Sequence, residues 1–153
     1  MKKFVLIFLI LFSTIPAFSQ WITKTVDNKL DLPYRIAYCK TSDQRGLLKL
    51  ESVDGELAFY LTGSYFCDDN PSVDIAFVVN GESKRYTLIG SKSSDSRTVF
   101  LYDNILSEDN LDLLSDFKKC SSVIIRINES YCRSEFYTFV MTGSSSAVEF
   151  MSK

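Results

Sequence analysis

The chain contains no histidine in 153 residues. That absence removes Ser-His-Asp and Cys-His nucleophile systems, imidazole acid–base catalysis and His-ligated zinc together. It also lacks any C-x-x-C pair, which argues against structural zinc and thioredoxin-like chemistry. A basic stripe is missing too: 17 Lys and Arg face 19 Asp and Glu, for a net charge of −2. With nothing to neutralise a run of phosphates, no nucleic acid is expected as a partner. No internal repeat or low-complexity linker divides the chain. Any catalysis is left to carboxylates, Lys, Tyr or a Ser–Lys pair.

What is present begins at the N-terminus. Lys2 and Lys3 precede an unbroken apolar run from Phe4 to Phe12. Ser13, Thr14 and Pro16 break that run, and Ala17 and Ser19 place small residues at the −3 and −1 positions of a cleavage site. This order predicts a secretory signal peptide over residues 1–19. The run is too short for a membrane helix, which needs about 20 apolar residues. A lipoprotein is excluded because the first cysteine is Cys39. Cleavage removes two lysines and no acid, leaving residues 20–153, 134 in number, with a net charge of −4. That length suits one domain. The expectation is a periplasmic or secreted protein with no membrane span after signal removal.

Cys39, Cys67, Cys120 and Cys132 form an even set in a chain bound for an oxidising compartment, which predicts two disulfides. Spacing alone leaves three connectivities open. The expected one is Cys39–Cys67 with Cys120–Cys132. The first pair flanks a hairpin centred on Asp54-Gly55, and the second follows by elimination. It requires an irregular loop near residues 128–132. In a straight hairpin the second pair would lie near opposite ends, far beyond the roughly 7 Å Cα limit for a bridge.

Period-two alternation marks strands at residues 21–26, 34–40 and 73–79, the first as an edge strand, and runs set off by turns mark others at 47–52, 56–66, 84–89, 98–102, 123–127 and 136–141. Asp54-Gly55 and Asn80-Gly81 are tight hairpin signals, because both central residues tolerate positive φ. Residues 107–119 are the helix candidate. Ser107 is its expected cap, and Leu111, Leu114, Phe117 and Cys120 are its expected inward face. Residues 147–151 suggest one further helical turn. The fold class is therefore mainly β: an antiparallel β-sandwich or flattened barrel of about seven or eight strands with one packed helix.

Few constellations suggest chemistry. Asp68, Asp69, Asn70 and Asp74 form the densest oxygen cluster. Asp68, Asn70 and Asp74 are the candidate Ca²⁺ ligands there, although Pro71 and the missing glycine and distal Glu depart from an EF-hand loop. A solvated turn explains the same residues. Ser115 to Lys118 matches Ser-x-x-Lys without its Ser-Asp-Asn and Lys-Thr-Gly companions, so an ordinary amphipathic helix accounts for it. Asp95 and Arg97 mark a possible binding loop, with a guanidinium fork for an anionic ligand. Tyr60, Phe77, Tyr86, Phe100 and their neighbours suit a core, or a sugar or peptide groove. Asn128-Glu129-Ser130 fits a glycosylation sequon, which matters only in a host that glycosylates.

One layout resembles a known family. The strand from Glu56, the strand ending at Val79 and the return through Tyr86 come first. The loop at Ser94-Asp95, the Thr98–Tyr102 strand and the inward helix follow. Ile124-Ile125-Arg126-Ile127 and Phe139-Val140-Met141-Thr142-Gly143 complete it. Together these resemble the periplasmic accessory proteins of type VI secretion systems, over about two-thirds of the mature chain. Val78 and Val79 stand where that family tends to carry an Arg, and the cysteine placement differs. The resemblance implies a non-catalytic envelope β-domain and assigns no functional residue.

The expected function is thus a non-catalytic exported binding or accessory module of the bacterial cell envelope, without cofactors, whose partner is an unknown protein or envelope component. Two alternatives belong to other classes. A small carboxylate-dependent envelope hydrolase would need two facing carboxylates roughly 5–9.5 Å apart. An inhibitor or immunity-type protein would plug a partner enzyme with residues 91–97 or 68–71.

Overall fold

Alternating segments become strands because each can bury one face only, and β5 (Ser72–Val79) is the clearest case. Its Val73, Ile75, Phe77 and Val79 are buried while the residues between them are not. The computed structural model describes residues 21–27, 33–53, 55–103 and 105–153. The expected signal peptide and Asp54 of the first turn lie outside the described residues.

Two antiparallel sheets build the molecule. The six-stranded sheet runs β1 (Ile22–Val26), β2 (Tyr34–Lys40), β3 (Leu47–Val53), β4 (Glu56–Thr62), β8 (Thr98–Tyr102), β7 (Ser91–Lys92) in spatial order. The four-stranded sheet runs β10 (Glu135–Val140), β9 (Ser122–Asn128), β5, β6 (Glu82–Ile89). Neither sheet closes, so the architecture is a sandwich and the barrel alternative is set aside. Among the described residues there are ten strands, more than the seven or eight expected. The extra pieces include β7, a two-residue strand inside the loop expected at residues 91–97. Asn80 and Gly81 both take positive φ, 53° and 84°, and the turn joins Val79 to Glu82 as its sequence predicts.

The single expected helix is two. A 3-10 turn over Glu108–Asn110 leads into α1 (Leu111–Lys119), and α2 (Ser144–Met151) extends the expected C-terminal turn. Ser107 does not cap through its side chain; its Oγ instead accepts from Asn110 Nδ2 at 2.9 Å. Leu111 is 57% exposed, and the buried face is Leu113, Leu114, Asp116 and Phe117. A strict three-residue repeat loses about 60° per step on a 3.6-residue helix. Leu111 and Cys120 therefore cannot share one face.

Phe117 joins the two layers. Its ring meets Phe59 of β4 at 5.4 Å, Phe77 of β5 at 6.2 Å and Trp21 at 5.6 Å, all edge-on. Tyr137 of β10 fills the interior elsewhere, packed against Phe66. A Cβ at Gly63 would stand 2.2 Å from the Tyr137 hydroxyl, so only glycine allows this approach.

The disulfide pairing needs correction. Cys67 is bonded to Cys132 across a 65-residue separation, while Cys39 and Cys120 remain buried thiols. Neither Cys39–Cys67 nor Cys120–Cys132 forms. After β4 the chain leaves toward the β8 side, where Gly63 N–H and Phe66 N–H donate to Arg97 O and Ser96 O. That exit carries Cys67 away from β2, which holds Cys39. On the β9–β10 hairpin Ser122 faces Val140 and Ile127 faces Glu135, so Cys120 sits at the end opposite the Cys132 loop. Some seven residues of strand, about 20 Å, separate them.

Candidate functional site

The outer face of the six-stranded sheet carries an extended surface feature. Register places Ile22, Tyr38, Lys49, Tyr60 and Phe100 in one row across β1, β2, β3, β4 and β8. Alternation turns all five away from the core, and Tyr38, Lys49, Tyr60 and Phe100 line an open cleft of about 560 Å³ that also takes in Lys24, Thr62 and Asp95. Ile36 and Tyr60 are buried on this outer side, at 7% and 8% exposure, yet belong to no part of the central core. The row organises itself. Lys49 Nζ lies 4.8 Å from the Tyr60 ring centre, and the Tyr60 and Phe100 rings are 5.4 Å apart. Glu51 anchors both partners, pairing with Lys49 at 2.6 Å and accepting the Tyr60 hydroxyl. Burial first, and the Glu51 hydrogen bond second, push the Tyr60 hydroxyl pKa far above its ordinary value. The phenol stays protonated and acts as a fixed donor. Aromatic planes, a half-buried ammonium and hydroxyls on one sheet face suit binding a neutral or amphipathic chain.

Asp95 reaches this cleft, but Arg97 does not line it. The Asp95 carboxylate accepts the Ser93 hydroxyl and, at 2.9 Å, the Arg97 backbone N–H. It is therefore a turn-forming acid, with its pKa lowered by those bonds, rather than half of an anion fork.

The outer face of the four-stranded sheet is different. Arg126 of β9 faces Asp74 of β5, and Asp74 also accepts from Asn128 and Thr87. The Asn128, Arg126 and Thr87 bonds, in that order, hold the Asp74 carboxyl at about 2. Asp68 is engaged elsewhere, accepting the Ser130 N–H at 2.6 Å. Of the three expected Ca²⁺ ligands, Asp68 and Asp74 thus serve separate networks. Among the described residues, one set of thiol and carboxylate groups is tight enough to hold an ion: Cys67, Glu129 and Cys132. Both sulfurs are already joined to each other, so that set retains one ligand. Glu129 instead secures the loop, accepting the N–H groups of Cys67 and Asp68.

No known family matches this chain, and no curated protein or solved structure is significantly similar to it. The site therefore rests on geometry.

Sequence reasoning missed one buried charge. Asp116 of α1 is 4% exposed and lies over β6, where it pairs with Lys84 Nζ at 2.8 Å and accepts the Tyr86 hydroxyl at 2.7 Å. Burial alone would raise its pKa, but the Lys84 and Tyr86 bonds outweigh that and leave it lowered. These groups edge a cleft of about 400 Å³ with Ser115 and Lys119. Ser115 Oγ accepts from Lys119 Nζ at 3.0 Å, one residue beyond the Ser-x-x-Lys match, in an exposed i,i+4 pair. The signal for Asp116 was the i,i+2 pair Lys84 and Tyr86 on a strand facing an amphipathic helix.

Proposed function

We propose that the chain is an exported, non-catalytic binding or accessory module of the bacterial cell envelope, and that the outer face of the six-stranded sheet contacts its partner. The observation that carries this reading is the transverse row Ile22, Tyr38, Lys49, Tyr60 and Phe100 beside an open cleft. Glu51 holds Lys49 and Tyr60 of that row in place before any ligand arrives, so binding requires little ordering of these two side chains. The signal-peptide pattern of residues 1–19 and the Cys67–Cys132 disulfide support export. The resemblance in layout to the periplasmic accessory proteins of type VI secretion systems agrees with an envelope role. The acids whose carboxyl pKa is lowered, Asp43, Asp74, Asp95 and Asp116, are ionised acceptors in hydrogen bonds, which favours structure over proton transfer.

The test compares the protein with a Tyr38→Ala/Phe100→Ala variant, using chemical crosslinking in the native envelope and turnover assays on peptidoglycan, glycans, peptides and phosphoesters. A stoichiometric partner captured by the native face and lost from the variant supports the proposal. Turnover abolished by one Asp or Glu substitution sinks it in favour of a carboxylate hydrolase, and recovery of the uncleaved chain from the cytoplasm sinks the export component.

A further inference from the structure

The outer face of the four-stranded sheet carries a second and independent feature. Register aligns Thr138, Ile124, Ala76 and Arg85 in one row across β10, β9, β5 and β6, and Phe136, Arg126, Asp74 and Thr87 in the next. Ala76 is the small residue at the centre. Around it stand Ile124 at 39% exposure, Phe136 at 58% and Arg85, and the depression they leave measures about 350 Å³. Large apolar side chains left exposed together on a sheet face mark an interaction surface more often than scattered ones do.

The charges on this face do not balance. Asp74 Oδ2 is occupied by Arg126 and Asn128 and its Oδ1 by Thr87. Arg126 is thereby neutralised, whereas Arg85 has no ion-pair partner among the described residues. One uncompensated guanidinium fork thus borders an apolar well, on a chain whose net charge is −2. A guanidinium presents parallel N–H donors that match a carboxylate. One such fork is far too little for a nucleic-acid backbone, which demands several neutralised phosphates. Across the sheet, Arg85 and Ile124 lie two strands apart, about 9.6 Å, with Ala76 between them. Same-side residues i and i+2 of an extended peptide are about 6.6 Å apart, so an acid at one and an apolar side chain at the other span from the fork to the Ala76 well.

We propose that this face binds an extended peptide segment of a partner protein carrying an Asp or Glu two residues from a large apolar side chain. Charge complementarity at Arg85 chooses the acid, and Ala76, Ile124 and Phe136 receive the apolar group. This proposal does not rest on the six-stranded face, which points the other way from the shared core.

The probe is a synthetic peptide, Gly-Gly-Glu-Ser-Phe-Gly-Gly with blocked ends, titrated into ¹⁵N-labelled protein, beside its Glu→Gln form. The expected result is saturable shifts at Ala76, Arg85, Ile124 and Phe136, with the Gln peptide and the Arg85→Ala variant each weaker by about tenfold. Arg85→Lys should recover part of the loss, because it restores charge without the fork. Arg85 is exposed, so the folded state is checked by the unchanged spectrum outside the patch. Equal binding of the Glu and Gln peptides, indifference to Arg85→Ala, or no shift at millimolar peptide would overturn the proposal. So would sedimentation showing a dimer abolished by Ile124→Asp, since the occupant would then be a second copy.

Discussion

Phe117 is the residue on which the two layers depend, because its ring touches an aromatic group from each sheet and a third before β1. Truncating it leaves a cavity bordered by three rings that cannot collapse together. Phe117→Ala should therefore destabilise by about 3–5 kcal/mol, read as a lowered urea midpoint with an unchanged slope. A conservative Phe117→Leu change should cost less, since much of the volume is kept. The buried thiols allow a sharper test at the same scale. Burial pushes the Cys120 thiol up to about 12, and the thiolate is the reactive form. Alkylation of the native protein should label neither Cys39 nor Cys120, and alkylation in denaturant should label two cysteines per chain. Zero labelled in denaturant would mean a second bridge, and four would mean that Cys67–Cys132 is absent.

At the scale of elements, one buried carboxylate on α1 bonds two side chains of β6. Asp116 is ionised in the folded protein with its pKa below the ordinary 3.8, and Asp74 on the opposite face of the same sheet sits at about 2. A depressed folded pKa contributes stability that is complete above the unfolded value and disappears as pH falls through the folded one. Stability should accordingly fall from about pH 4 downward. Asp116→Asn and Asp74→Asn should each flatten that acid limb when urea midpoints are compared between pH 7 and pH 2. An acid limb as steep in both variants as in the native protein would refute the assignment. At neutral pH, Asp116→Ala should cost about 1–3 kcal/mol, because the Tyr86 hydroxyl loses its acceptor.

The elements were legible to different degrees for physical reasons. Period two is legible along β5, where one face is buried and the other is not; along β2 the alternation is legible too, although Ile36 is also buried on the outer side. Asn80-Gly81 was legible because its turn demands positive φ at both positions. The inward face of α1 is not legible from its leucines, because a three-residue spacing drifts around a 3.6-residue helix and leaves Leu111 exposed. Disulfide pairing was illegible because it depends on which side of β4 the chain exits, and backbone bonds from Gly63 and Phe66 to residues 96 and 97 decide that. The cleft beside Tyr38, Lys49 and Phe100 was only half visible. Its aromatics were noted, but their alignment in one row is a matter of register between strands that lie far apart in sequence.

For the whole molecule, two open sheets share one core, so their outer faces point in opposite directions. One is aromatic with balanced charge, and the other is apolar with a spare guanidinium. Such a body presents two chemically different faces to its surroundings. The Cys67–Cys132 bridge ties the exit of β4 to the β9–β10 loop and so links the two sheets covalently. Closing a loop of that length restricts the unfolded chain by about 4 kcal/mol in the entropy account. A domain of this size typically holds 5–15 kcal/mol in total, roughly speaking, so the bridge supplies a substantial share without being the whole. The Cys67→Ser/Cys132→Ser variant should therefore remain folded, with a native-like amide spectrum, but unfold at a lower urea concentration by about 4 kcal/mol. Glu129 adds a check on where that loss arises. It accepts the N–H groups of Cys67 and Asp68, and Ser130 donates to Asp68 in return. The loops consequently stay associated after the bridge is removed, and exchange protection of the Cys67 and Ser130 amides should persist in the double serine variant. Loss of that protection, or complete unfolding on reduction, would show that the sulfur bond and not the carboxylate contacts holds the two sheets in register.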